Sequence, residues 1–179
     1  MFSMVLLVKG VGNMIHISKQ LYNFQIERII RTYSNMLFRI CLIILCNEQD
    51  AEDAIQNTFY KYIKKHPTFN DNEHEKAWLI RVATNCSRDI RRFSLKHNHI
   101  NIEDILDYYT ITSYSDKKAE ILACVMNLPG KYKIAIHLFY FENYTTDEIA
   151  KILSIKPATA RKRLQYGRNL LKLELGEES

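Results

Sequence analysis

The chain has few residues that interrupt helices: five glycines and three prolines in 179 residues. With 47% hydrophobic residues, that scarcity excludes wholesale disorder and leaves enough apolar material for a packed core. Long apolar runs are also missing. Residues 1–17 are fairly apolar, but Lys9, Gly10, Gly12, Asn13 and His16 interrupt them. No run approaches the roughly 18 apolar residues of a spanning helix. A basic start and a small-residue cleavage site are absent, which argues against a signal peptide. Residues 1–22 read either as a disordered leader or as upstream sequence ahead of a start at Met14. Cysteine is sparse. Cys41, Cys46, Cys86 and Cys124 form no CxxC pair, and the six histidines stand at no ligand spacing from them. Buried reduced thiols in a cytosolic protein are expected, with no metal site. No Gly-rich phosphate loop, metal constellation or nucleophile motif is visible. The sequence therefore gives no catalytic residue, no cofactor and no small-molecule substrate, and reads as a non-enzyme. Internal repeats are absent as well.

What is present is helical periodicity. Few stretches alternate with period two, so the fold class is all-α. Ile26, Ile29, Ile30, Tyr33, Leu37, Ile40, Cys41 and Ile44 make a stripe about five turns long. A second helix follows a polar turn at Asn47 to Gln49. Its apolar side is Ala51, Ile55, Phe59, Tyr62 and Ile63, and Pro67 ends it. Residues 68–75 read as a loop. A third helix spans Lys76 to Phe93, burying Leu79, Val82, Ala83, Cys86, Ile90 and Phe93. Residues 94–118 are polar and read as a flexible linker, which argues for two small helical domains at 23–93 and 119–175. In the second domain, Ile121, Leu122, Val125 and Leu128 mark one helix, and Ile134, Ala135, Leu138 and Phe139 the next.

The strongest local motif runs from Thr145 to Arg168. Thr145 and Glu148 form a capping box before the apolar Ile149, Ile152 and Leu153. Ser154 to Lys156 makes a tight turn, and Pro157 suits the first position of a new helix. That helix buries Ala160, Leu164, Gly167 and Leu171 and carries Arg161, Lys162, Gln165 and Arg168 on its other sides. Two helices, a short turn and a basic second helix suit major-groove docking. The plainer reading is a solvated basic face on an ordinary helix pair. The formal charge of +5 points only weakly to a polyanionic partner.

Two further surfaces stand out. Arg81, Asn85, Arg88 and Arg92 fall at i, i+4, i+7 and i+11 on the third helix, with Trp78 at its start and Phe69 and Asn70 in the preceding loop. Cations, an amide and aromatics suit unpaired bases, although Trp78 and Phe69 equally suit the core. On the second helix, Asp50, Asp53, Asn57, Tyr60 and Lys64 line the polar side, with Glu52 and Gln56 flanking. Acids near a helix start complement its dipole, or they meet a basic protein partner.

In this order, the pieces resemble the extracytoplasmic-function sigma factors of the bacterial sigma-70 family. The resemblance covers about Ile26 to Lys172. It is carried by "DAEDAIQ", by "AWLIRVATN" and by "LP…EIA" within "MNLPGKYKIAIHLFYFENYTTDEIAKILSIKPATARKRL". It implies an alternative sigma factor that binds core RNA polymerase and promoter DNA. Asp50, Asp53 and Gln56, with Asn57 and Tyr60 on the same face, would meet the polymerase. Phe69, Asn70, Trp78, Arg81, Asn85, Arg88 and Arg92 would open and read the −10 element. Thr159, Arg161, Lys162, Arg163, Gln165 and Arg168 would dock on the −35 element. The linker would thread towards the polymerase active centre. The family also implies an anti-sigma factor, and a cytoplasmic protein held at the membrane by it. "KPATARKRL" departs from the family's usual pattern, which bears on the promoter sequence read. The competing reading is a conventional helix-turn-helix regulator with an N-terminal helical sensing domain. The "DAEDAIQ" face and the Arg81–Asn85–Arg88 stripe speak against it, since a sensor needs neither.

Overall fold

In the computed structural model, the backbone is described for residues 2–93 and 116–175, and side chains for residues 24–92, 121 and 123–175. Most of the expected linker, residues 94–115, lies outside them, as do the side chains of Phe93 and Leu122. Seven helices are described: α1 (Phe2–Leu45), α2 (Glu48–Lys65), α3 (Asn72–Phe93), α4 (Asp116–Asn127), α5 (Gly130–Tyr140), α6 (Thr146–Leu153) and α7 (Pro157–Glu174). No strand occurs among the described residues. The chain divides by its contacts into Met1–Asn35 and Met36–Ser179. The first unit is helical from Phe2, well ahead of Ile26, where the periodicity begins. Within it Ile29 and Tyr33 are buried, whereas Ile30 is exposed.

In the second unit the end of α1 is the most deeply buried stretch. Leu37, Ile40, Cys41, Leu42 and Ile43 are fully inaccessible. Each of these leucines and isoleucines contributes about 1.5–3 kcal/mol on leaving water. Burial pushes the Cys41 thiol up to about 12, opposed by a hydrogen bond with Ser87. That places it among inert core thiols.

The turn into α2 is shorter than its polar sequence suggests. Cys46 takes a left-handed φ of 52°, and the Asn47 side chain accepts the Asp50 N–H at 2.8 Å. The helix therefore starts at Glu48. Its buried side is Ala51, Ala54, Thr58 and Tyr62, while Ile63 is exposed. Of the expected stripe, Ala51 and Tyr62 are buried, Ile55 and Phe59 are only half-buried, and Ile63 is exposed, with Ala54 and Thr58 inside instead. The close neighbour is accommodated by small residues, and the Thr58 hydroxyl is buried without penalty because it donates to the Ala54 carbonyl at 2.7 Å.

α3 begins at Asn72, four residues before the expected start. Asp71 accepts the His74 N–H at 2.7 Å, and Glu73 and Glu75 lie in the first turn. This turn is polar and so invisible to hydrophobic periodicity, yet its acids suit the positive helix end. α3 buries Leu79, Ile80, Ala83 and Cys86, with Thr84 and Ser87, and packs on α2. Val82 and Ile90, expected inside, are half-buried.

α5, α6 and α7 pack together, with α4 against α5. Gly167 has a packing reason: a Cβ there would stand 2.8 Å from Ile136 Cγ1, so α7 crosses α5 closely only without a side chain. His137 on α5 is fully buried, its ring stacked on Phe141 with centroids 5.1 Å apart. Burial holds its imidazole below the ordinary range; Glu142, 3.6 Å from Nε2, opposes this less strongly. The ring is therefore neutral near pH 7, and the contact is proximity rather than an ion pair.

A pH dependence follows. Below the ordinary imidazole value of 6.5, the unfolded chain takes up a proton that folded His137 resists. The unfolded state then binds more protons, so stability falls with falling pH. This group's contribution to the unfolding free energy should be flat above that value and decline below it, by at most roughly 1.4 kcal/mol per pH unit, with the melting temperature falling accordingly. His137→Leu should flatten the decline between about pH 6.5 and 5; an unchanged slope assigns it to other groups.

Candidate nucleic-acid interface

The helix-turn-helix is built from two local devices. At the start of α6 the Thr145 N–H donates to Glu148 Oε2 at 2.8 Å, and the Thr145 hydroxyl to the same oxygen at 2.6 Å. The Glu148 N–H returns to the Thr145 oxygen at 3.4 Å. The Thr145 hydroxyl, and then its N–H, holds the Glu148 carboxyl below its ordinary range. At the other end Ser154 turns left-handed at φ 53°. Its N–H donates to the Lys151 carbonyl at 3.3 Å, and the Ile155 N–H to the Ala150 carbonyl at 2.9 Å. That paired closure stops α6 and redirects the chain within two residues. Pro157 then opens α7 with φ already set.

On α7, Ala160, Leu164, Gly167 and Leu171 are buried as expected. Arg161, Lys162, Gln165 and Arg168 are exposed, while Thr159 and Arg163 are half-buried. Arg161 lies 3.9 Å from Asp147 in the first turn of α6. Both groups are well exposed, so the pair is weak and phosphate can displace it. Arg168, with Lys172, borders an apolar cavity of about 630 Å³ floored by Ile136, Tyr140, Phe141 and Leu171. Arg163 is more covered than these neighbours. Burial holds its guanidinium below the ordinary range, and Arg88 of α3 adds to this.

α3 presents its cations opposite its buried side. Arg81, Arg88 and Arg92 are exposed and Asn85 is half-buried. Arg88 Nη2 donates to Asn85 Oδ1, and Arg92 lies 3.7 Å from Asp89. Trp78 and Phe69 are half-buried partners in one aromatic cluster. Ring centroids stand at 5.8 Å for Trp78–Phe69, 5.8 Å for Trp78–Tyr62 and 6.1 Å for Phe69–Tyr62. The buried Tyr62 hydroxyl donates to Glu75 at 3.1 Å. Asn70 beside the cluster is exposed. The loop before α3 is thus held by stacking, with partly accessible rings at the edge of the cationic face.

The α2 surface is separate from these cations. Asp53, Gln56, Asn57 and Tyr60 are exposed, and Asp50 is half-buried at the cap. Tyr60 is 60% exposed and Ile63 38%, so an apolar strip adjoins the acids. Ile63 was missed from sequence because its apolar character assigned it to the core; its place beside Tyr60 on the helix is the signal that could have found it. Acid beside exposed aromatic and aliphatic surface is the chemistry of a protein contact, not of nucleic acid. No group of three or more His, Cys, Asp or Glu poised for a metal occurs among the described residues. Nor is any helix there long and apolar enough to cross a membrane.

Known proteins match both halves. The sigma-70 region 2 family model covers residues 29–94, and the sigma-70, region 4 model covers residues 118–171. The ECF RNA polymerase sigma factor SigM of Bacillus subtilis is 30% identical over 156 residues, covering 82% of this chain and 93% of that one. SigW of the same organism is 27% identical over 163 residues, covering 82% and 87%. A co-crystal structure of the sigma factor RpoE with the anti-sigma factor NepR from Bartonella quintana is similar in fold. Its TM-score is 0.63 at 17% identity, over 86% of this chain and 98% of that one.

The local devices make a paired prediction. Thr145→Ala should destabilise the chain by about 1 kcal/mol through loss of the cap. Ser154→Gly should stabilise it by about 1 kcal/mol by relieving the left-handed strain. Chemical denaturation of the two variants beside the parent checks both; shifts of the same sign would refute this account of α6.

Proposed function

This chain belongs to the extracytoplasmic-function sigma factors of the sigma-70 family, and we propose from that premise how its faces divide the work. It is an alternative sigma factor that directs RNA polymerase to promoters. The carrying observation is that both family regions occur in one chain, each with a surface of fitting chemistry. The region 2 match takes in α2 and α3, which a conventional regulator's sensing domain does not require, so that reading is set aside.

The α2 face of Asp50, Asp53, Gln56, Asn57 and Tyr60 binds core polymerase. Its acids give orientation and on-rate, and the Tyr60–Ile63 strip gives apolar contact. The α3 face serves the −10 element. Arg81, Arg88 and Arg92 neutralise phosphates, while Asn85 hydrogen-bonds an exposed base edge. Trp78, Phe69 and Asn70 receive an unstacked base, which offsets the few kcal/mol that unstacking costs. The α7 residues Thr159, Arg161, Lys162, Arg163, Gln165 and Arg168 serve the −35 element by groove docking. The division at 23–93 and 119–175, joined by the 94–118 linker, lets both elements be engaged at once. The protein performs no covalent chemistry; it binds, orients and melts. The RpoE structure is of a complex with an anti-sigma factor, which supports a regulatory protein partner for this chain and, by extension, retention at the membrane.

Two measurements test the assignment. The double variant Asp50→Lys, Asp53→Lys should weaken core polymerase binding at least about tenfold, given the roughly 1.5–7 kcal/mol of close charge pairs at interfaces. Unchanged affinity removes α2 from the interface. Asn85→Ala should impair transcription from a duplex promoter more than from a pre-melted one. Equal defects on both templates rule out a role in melting.

A further inference from the structure

Two lysine amines lie against cysteine sulfurs, and the two pairs differ in which partner is covered. Lys133 Nζ on α5 donates to Cys46 Sγ at 3.6 Å, joining residues 87 apart in sequence. Lys133 is only 6% exposed, whereas Cys46, just past the end of α1, is half-buried. Lys61 Nζ donates to Cys86 Sγ at 3.3 Å. There the thiol is the covered partner, 3% exposed, and the lysine is half-buried.

A lysine so deeply placed needs an acceptor, because a bare ammonium out of water is costly. The Cys46 sulfur supplies a weak one. The titratable groups that bear on Lys133 among the described residues are Cys46 and Arg91, with no carboxylate. Burial holds the amine below its ordinary range; Cys46 opposes this and Arg91 reinforces it. An unprotonated lysine amine is both a base and a nucleophile. Cys46 takes its left-handed φ in the turn, with Sγ 3.8 Å from the Ile43 carbonyl. Being half-buried, it is open to a small oxidant.

We propose that Cys46 and Lys133 form a peroxide-sensitive modification site, which closes on oxidation to a covalent S–N bond, a sulfenamide, between the α1–α2 turn and α5. The Lys133 amine takes the Cys46 proton, and the thiolate attacks one oxygen of hydrogen peroxide. The S–O bond forms, the O–O bond breaks, and the departing hydroxide takes the proton back from Lys133 as water. Cys46 is then a sulfenic acid. The freed amine attacks its sulfur. The S–N bond forms, the S–O bond breaks, and hydroxide leaves with a nitrogen proton as a second water. Sulfur is oxidised by two electrons, and peroxide is reduced by two. The flexible lysine stem closes the remaining distance. The bond ties the region 2 match to the region 4 match. A thiol reductant restores both side chains.

The test uses the full chain, reduced and then treated in its folded state with hydrogen peroxide. Intact mass spectrometry should show the loss of two hydrogens. Chymotryptic peptide mapping should place a link between Cys46 and Lys133 that dithiothreitol removes. This map is made on the parent chain, so the folding of a variant cannot decide it. Lys133→Arg keeps the cation but offers a poor nucleophile. It should stop the reaction at the Cys46 sulfenic acid, raising its labelling by dimedone at least about tenfold over the parent, since an amine held in place outruns a probe in solution. Cys46→Ser should abolish the loss of hydrogens. The Lys61–Cys86 pair is the internal comparison: closer in distance but with its thiol covered, it should stay reduced. A link at Cys86 and none at Cys46 would overturn the site. So would Cys46 left unmodified, carried on to sulfinic acid without a link, or paired with another cysteine.

Discussion

α3 has to satisfy three neighbours with one helix, and the way its surface is shared organises the rest of the molecule. One side packs Leu79, Ile80, Ala83 and Cys86 into the core beside α2. Another carries Arg81, Arg88 and Arg92 outward. Those cations stay solvated because the apolar side seats the helix, so no buried carboxylate is needed to compensate them. A face of guanidinium groups held only by exposed contacts is costly in self-repulsion and suits a polyanion. The third neighbour is α6, which uses Arg81 and Lys76 as anchors.

The C-terminal helices solve a different problem, that of orienting α7. The Thr145–Glu148 box fixes where α6 starts and the left-handed Ser154 fixes where it stops, so the caps fix the ends between which α7 turns away. Gly167 lets α7 approach α5 closely, which seats the apolar side and leaves Arg161, Lys162 and Gln165 outward. The two surfaces proposed to read DNA are thus prepared by opposite means. α3 is a long amphipathic helix placed by its core, and α6–α7 is a short pair placed by its caps.

Local chemistry was legible in the sequence; long-range partnership was not. The capping box, Pro157 at a helix start and the Arg81–Asn85–Arg88 stripe are written in spacings of three to seven residues, and each stands where its spacing placed it. Hydrophobic periodicity failed where the buried residue is small or polar. Ala54 and Thr58, not Ile55 and Ile63, face the interior on α2, because close helix packing selects size over hydropathy. The first turn of α3 was hidden for a related reason: a polar turn has no apolar period to detect. His137 counts as polar in any pattern, yet it is fully buried and neutral. The Arg81–Lys151 contact uses a backbone carbonyl, which no side-chain motif encodes.

The central claim is that this chain gives RNA polymerase a promoter preference that the core enzyme lacks. The most direct measurement is transcription of the host's own fragmented genomic DNA by purified core polymerase, with and without the full chain, followed by sequencing of RNA 5′ ends. The account predicts a discrete set of new start sites that appear only with the chain and share a pair of upstream elements. Start sites identical to those of core enzyme alone, with the chain demonstrably bound to it, would contradict it.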